Sequence, residues 1–301
     1  MTLSNNQVVY CLSTVCHTPY GALVRDFIDG IKEQKNVLKH IEDLSYLEDS
    51  LGGETSKKIF QKYLKQRKAA KLFTPAAKLA LGTVGTALEE LQKEYPFLRD
   101  SEAHRDTGIF FAVGREPPDD GDAEEMLLLS EHKGSFDEEK MSHEGKLVYP
   151  PLLPLKTLPN MVLAHTSIHL GIQGENGCWA GEDEAGWTAI WSAFWSVVEG
   201  RTDLAILCGS ESYISLGLAR DRLRSEKKSH PSESSVTFVL ASQRWMEQNS
   251  FTQSTCKITA SQLQSIEDSY HHENLHHLIF EYMGDCGAVN PLLYVLWKLS
   301  I

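Results

Sequence analysis

The sequence predicts an α/β fold. Apolar, β-branched runs alternate along it with stretches of helical periodicity, and the runs are continuously apolar, as in strands buried on both faces. Composition agrees: 301 residues with 42% hydrophobic and 23% charged side chains suit a globular chain able to bury a substantial core.

Val8 to Val15 reads as a buried strand closed by Pro19 and Gly21, and Ala22 to Ile31 as a helix. Residues 36–70 are charged and mixed, with a break at Gly52-Gly53. Ala76 to Leu91 is a stronger helix that follows Pro75 at a helix-start position. Thr107 to Val113 is a strand ended by Gly114. Turn chemistry from Pro117 to Asp122 and the prolines at 150, 151 and 154 mark an inserted cap, with a short helix near Ala123 to Leu129. Next come an amphipathic stretch (Pro159 to Leu170), a short strand (Asn176 to Ala180) and a helix (Glu184 to Val198). That helix is apolar on nearly every side, which places Trp187, Trp191 and Trp195 in the core. Asp203 to Cys208, Ser235 to Leu240 and Thr255 to Gln262 read as strands, Ser225 to Ser235 as a polar loop, and Asn290 to Leu299 as a final apolar helix.

Charge narrows the function. Acidic residues number 41 against 29 basic, a formal charge of −12, which repels phosphate backbones and anionic lipid. Nucleic acid and membrane are therefore not expected as partners. The opening residues lack a signal-peptide pattern, and no apolar run approaches the roughly 20 residues of a membrane helix. Six scattered cysteines without a CxxC pair fit free thiols in a reducing cytoplasm.

The segment from Gly171 to Ile190 carries the chemistry. A short strand there leads into the N-terminus of a buried helix, where free N–H groups and the helix dipole stabilise an anion. Glu182, Asp183 and Glu184 occupy the junction. Capping of the helix by aspartate and a chemical role for the carboxylate are both open. Of the thiols that could substitute as nucleophile, Cys178, within the strand, reads as a small buried apolar side chain, and Cys286, after Asp285 at a turn, is a looser candidate. His165 and His169 share a helix face and suit packing or a dimer contact. His271, His272, His276 and His277 suit a polar turn, with no recognised metal-ligand spacing.

Leu158 to Asn176 resembles the approach to the active site of β-ketoacyl synthases, the condensing enzymes of fatty acid and polyketide synthesis. The family continues to a T-A-C-x-S/T-G motif, and its nucleophilic cysteine falls on Asp183, with Gly186 and Ala189-Ile190 in register. The opening strand with Thr18-Pro19-Tyr20-Gly21, the helix from Leu72 to Glu89, the strand Gly108 to Gly114 and the segment Asp203 to Glu211 resemble the family collinearly. Ser232 to Leu240 resembles its G-E-G-A-G-V-L-V-L segment. The H-G-T-x-T motif has no counterpart. In the second histidine segment, matched by Ile279 to Leu299, Asp285 stands where histidine would be.

The resemblance implies a thiolase-like fold layered α-β-α-β-α with an abbreviated second half. The whole of 1–301 would be one such domain, with an N-terminal half 1–224, the cap at 115–157 and a truncated C-terminal half 235–301. It also implies that no catalytic group remains, since aspartate cannot carry a thioester. The chain then resembles a chain length factor, in the shortened form of aryl polyene pathways. Such a subunit pairs with an active ketosynthase through the strand before the nucleophile position, here Asn176, Gly177, Cys178, Trp179 and Ala180. It meets acyl carrier protein indirectly through that partner and needs no metal or cofactor. A carboxylate-based hydrolase or decarboxylase using Asp183 and a pure scaffold are the alternatives.

Overall fold

The computed structural model describes residues 7–100, 102, 105–114, 120–149, 153–215, 218–219, 222–223, 229–249, 256–270 and 275–300. Its centre is a six-stranded mixed sheet. The strands are β1 (Val8–His17), β2 (Gly108–Val113), β3 (Asn176–Ala180), β4 (Leu204–Ser212), β5 (Glu233–Ala241) and β6 (Cys256–Thr259), in the order β6-β1-β5-β4-β2-β3. β2 runs parallel to β3 and β4, while β5 is antiparallel to both β4 and β1.

The continuous apolar strands are buried on both sides because each face meets helices. Ile109, Phe111 and Val113 of β2 point into one core with Ala76, Ala80, Leu81 and Val84 of helix α2 (Pro75–Glu94) and Val162 of α3 (Asn160–Leu170). Phe110 and Ala112 point the other way. They join Phe27 and Ile31 of α1 (Val24–Lys32), Ala185, Ala189, Ala193 and Phe194 of α4 (Asp183–Val198) and the last helix, α5 (Asn290–Ser300). The period-2 alternation of a strand distributes its side chains between the two cores. Thr74 caps α2, its Oγ1 accepting the Ala77 amide at 3.2 Å, and Pro75 fills the first helical position.

Several elements differ from the sequence reading. The strand expected over Thr255 to Gln262 is only Cys256–Thr259, because Thr259 Oγ1 accepts the Gln262 amide at 3.1 Å and a helix, Ala260–Tyr270, begins there. β4 continues through Gly209 to Ser212. Gly52-Gly53 is not simply a break. Leu51–Gly52 pairs with Lys39–His40, and the Gly53 amide donates to Pro231 O at 3.0 Å while Gly53 O accepts the Glu233 amide at 3.0 Å. After β5, the described residues add one strand to the first sheet and form no second large sheet of their own.

The described part of residues 115–157 folds on itself. Helix Asp120–Leu129 is followed by a two-stranded hairpin, Glu131–His132 with Ser135–Phe136, whose turn residues Lys133 and Gly134 both have positive φ (53° and 79°), the geometry of a type I′ turn. Asp137 then accepts the amides of Glu139 and Lys140 at 2.9 and 3.1 Å to start the next helical turn.

Candidate functional site

The junction between β3 and α4 is the centre of the site. Glu182 occupies the cap position, and its side chain makes no capping bond; it pairs instead with the Arg222 guanidinium. Asp183 is the first residue of the helix rather than its cap. Its Oδ1 accepts from Asn290 Nδ2 at 3.4 Å. Burial and then the charge and hydrogen bond of Asp183 push the Tyr270 phenol pKa well up, so that phenol stays protonated.

Asn290 heads α5 and its Nδ2 also donates to Asp285 Oδ1, at 2.8 Å. The structure thus brings Asp183 and Asp285 to one amide, although they lie 102 positions apart. Asp285 is fully buried. Its Oδ1 accepts a second bond from the Gly287 amide at 2.8 Å, and its Oδ2 accepts from Arg222 Nη1 at 2.7 Å and Ser229 Oγ at 3.0 Å. Four donors on two oxygens fill the acceptor capacity of a carboxylate, so this is a buried anion held by its surroundings. The Arg222 guanidinium lies 4.0 Å from the centre of the Tyr213 ring, stacked as arginine does on aromatics.

Two glycines permit this convergence. A Cβ on Gly186 would lie 2.6 Å from Ala288 O and 2.7 Å from Pro291, so only glycine lets the 287–291 turn reach α4. Gly287 has φ +50°, and a Cβ there would lie 2.2 Å from the Tyr213 hydroxyl. On the opposite side, Glu233, also fully buried, accepts from the Thr55 amide (2.9 Å), Ser212 Oγ (2.8 Å) and Lys57 Nζ (2.8 Å), fixing the 53–57 loop to the sheet.

The other candidates sort by environment. Burial pushes the Cys286 and Cys178 thiols up to about 12, and neither has a cation or imidazole as its hydrogen-bond partner: Cys286 contacts Ser234 Oγ at 3.2 Å, Cys178 contacts Pro159 O at 3.8 Å. His165 stacks on Phe73 at 4.2 Å, and His169 Nδ1 accepts the Lys65 amide at 2.9 Å. The cluster His271, His272, His276 and His277 lies outside the residues whose side chains are described. Trp187 is buried, but Trp191 and Trp195 are only half-buried, correcting their placement in the core. β3 forms one edge of the sheet and pairs, among the described residues, with β2 alone. Arg222 and Asn290 carried no motif in the sequence; the one signal for Asn290 was its place at the head of a helix after a glycine turn.

The model of the β-ketoacyl synthase N-terminal domain matches residues 8–235. The chain belongs to the β-ketoacyl synthase family. Among solved structures, the ketosynthase fold recurs in AntDE:AntF, a type II polyketide synthase acyl-carrier protein in complex with its ketosynthase bound to the hexaketide. The match has 13% identity, 97% of this chain, 90% of that chain and a TM-score of 0.69. The ishigamide ketosynthase/chain length factor is similar at 14% identity over 97% and 90% of the two chains, with a TM-score of 0.64. A ketosynthase from module 6 of the bacillaene synthase of Bacillus subtilis 168 gives 11% and 0.63, and this chain covers 60% of it. No curated protein matches. The thiolase-like layered fold of these ketosynthases is therefore the fold of this chain, with mixed sheet and flanking helices. Among the described residues of this family member, no helix is long and apolar enough to cross a membrane.

Proposed function

We propose that this chain is a non-catalytic chain length factor, which pairs with an active β-ketoacyl synthase and shapes the tunnel for its growing acyl chain. One observation carries the reading. At the junction where a condensing enzyme holds its nucleophile, this chain has Asp183, tied through Asn290 to a buried Asp285–Arg222 pair. A ketosynthase needs a thiolate to bear the acyl chain and histidines to stabilise the enolate. A carboxylate at a helix N-terminus is a stabilised anion and a poor acyl acceptor. Asp285, with its hydrogen bonding saturated, is poorly placed to serve as a second working carboxylate beside Asp183 in a hydrolase or decarboxylase.

Two surface features support a role in assembly. Among the described residues, β3 is an edge strand whose outer side pairs with no other strand, a surface suited to strand addition. Of the eleven large hydrophobic side chains exposed among the described residues, eight lie between Leu127 and Ile168, in and just after the insertion, which suits an arm that reaches across a partner. The ketosynthase would sit on β3, and acyl carrier protein would engage the pair chiefly through it. A cytoplasmic place in an aryl polyene-like pathway belongs to the same reading.

Co-expression with a cysteine-bearing ketosynthase from the same source is the test. A stable 1:1 complex is expected, with the isolated chain aggregating through its open edge. A well-behaved monomer that ignores the ketosynthase would rule the reading out, and interface mutations that leave product length unchanged would reduce it to a scaffold.

A further inference from the structure

Helix α4 is not sealed along its whole length. Trp191 and Trp195 line an open groove of about 600 Å³ that is shared with Asn176 and Trp179 of the edge strand and with Glu267. The two indoles are stacked, with centroids 6.1 Å apart and planes inclined by 19°. Trp191 Nε1 donates to Glu267 Oε2 at 2.7 Å, which holds the carboxylate at the edge of the Trp191 indole.

The charges in this groove are unevenly matched. Arg201, the basic residue in its lining, is already taken up by Glu175 at 3.2 Å and Glu199 at 2.5 Å. Glu267 is bonded by Trp191 and, at 3.5 Å, by Gln264, both neutral, and has no cationic partner among the described residues. Aromatic faces beside an unneutralised carboxylate are complementary to a planar cation, and a guanidinium satisfies both at once.

We propose that this groove receives an arginine side chain of the ketosynthase partner, from the segment that adds its strand to Asn176–Ala180. The inference rests on the chain length factor reading and names the chemistry of its partner's anchor. Contact with the edge strand selects this occupant, because a chain pairing there passes directly over the groove. A second copy of the present chain fits poorly: each would bring a net charge of −12 and the same acidic groove to the contact.

The test uses the co-expressed complex with the cysteine-bearing ketosynthase, and Kd is measured across a salt series. Glu267→Gln is expected to weaken binding by about tenfold and to flatten the salt dependence, while Glu267→Lys weakens it further. An arginine-to-glutamate change in the partner should restore affinity only to the Glu267→Lys protein. Glu267→Gln, a mild change at a half-buried site, decides the matter if Glu267→Lys misfolds by circular dichroism. Binding of Glu267→Gln and Trp191→Ala within twofold of the parent overturns the arginine groove and leaves the chain length factor reading standing. Failure of the parent chain to bind any such ketosynthase removes both. A homodimer of this chain that Glu267→Lys abolishes would assign the groove to a second copy instead and also overturn the proposal.

Discussion

Arg222 and Asp285 pair at 2.7 Å in the interior, with the Asp285 side chain wholly buried and that of Arg222 9% exposed. Arg222 also holds Glu182, so one guanidinium links the turn before α5 to the start of α4. Charges removed from water to this extent need each other. Truncating Asp285 takes from the guanidinium its fully buried counterion and leaves it the more exposed Glu182.

Asp285→Ala should therefore cost about 3–5 kcal/mol of stability, read from the urea midpoint, whereas replacing both members by apolar residues of similar volume should recover much of that loss. A single variant within about 0.5 kcal/mol of the parent would show that Arg222 finds solvent or another anion in solution.

Asp183 engages Asn290 and Tyr270. In the complex with a ketosynthase, Asp183→Asn is expected to leave assembly intact and to change the condensation rate by less than about tenfold, or roughly 1.4 kcal/mol in barrier. Loss of turnover with the complex intact would give Asp183 a chemical role.

Burial lowers the pKa of His17, His165 and His169 below the ordinary value of 6.5. The unfolded chain then binds more protons than the folded one as the pH falls below 6.5, so this stability is present at neutral pH and is lost on acidification toward the lower folded values. Protonation of His169 also removes the acceptor used by the Lys65 amide. Thermal midpoints should fall between pH 7.5 and pH 5.5, each a condition of roughly one unit either side of the free imidazole value. His169→Gln, which keeps an acceptor without titrating, should flatten the decline. An unchanged slope would mean that His169 takes no part in it.

Thiols near pKa 12 hold on the order of 10⁻⁵ of their population as thiolate at pH 7. Iodoacetamide at neutral pH should leave Cys178 and Cys286 unmodified in the folded protein, with half-buried Cys256 labelled sooner. Rapid labelling of Cys178 or Cys286, followed by mass spectrometry of the peptides, would reopen the question of a substitute nucleophile.

What the sequence determined by itself was local. A strand buried on both faces must be apolar at every position, so β2 was legible from TGIFFAV, and Pro75 with the small residues after it announced α2. The short strand, the helix behind it and the carboxylate at their junction followed from period and spacing, and the collinear motifs placed Asp183 and Asp285. Where competing local chemistry intervened, reading failed: Thr259 caps a helix inside what looked like a strand.

The tertiary structure decided which of these residues meet. Arg222 reaches Asp285 across 63 positions and Asn290 reaches Asp183 across 107, contacts that no period encodes because packing of the turn against Gly186 creates them. The same holds for Trp191 and Trp195. An all-apolar helix signals burial, yet how much of it is covered depends on what the remainder of the chain lays over it, and here the described elements leave one stripe of indole open beside the edge strand.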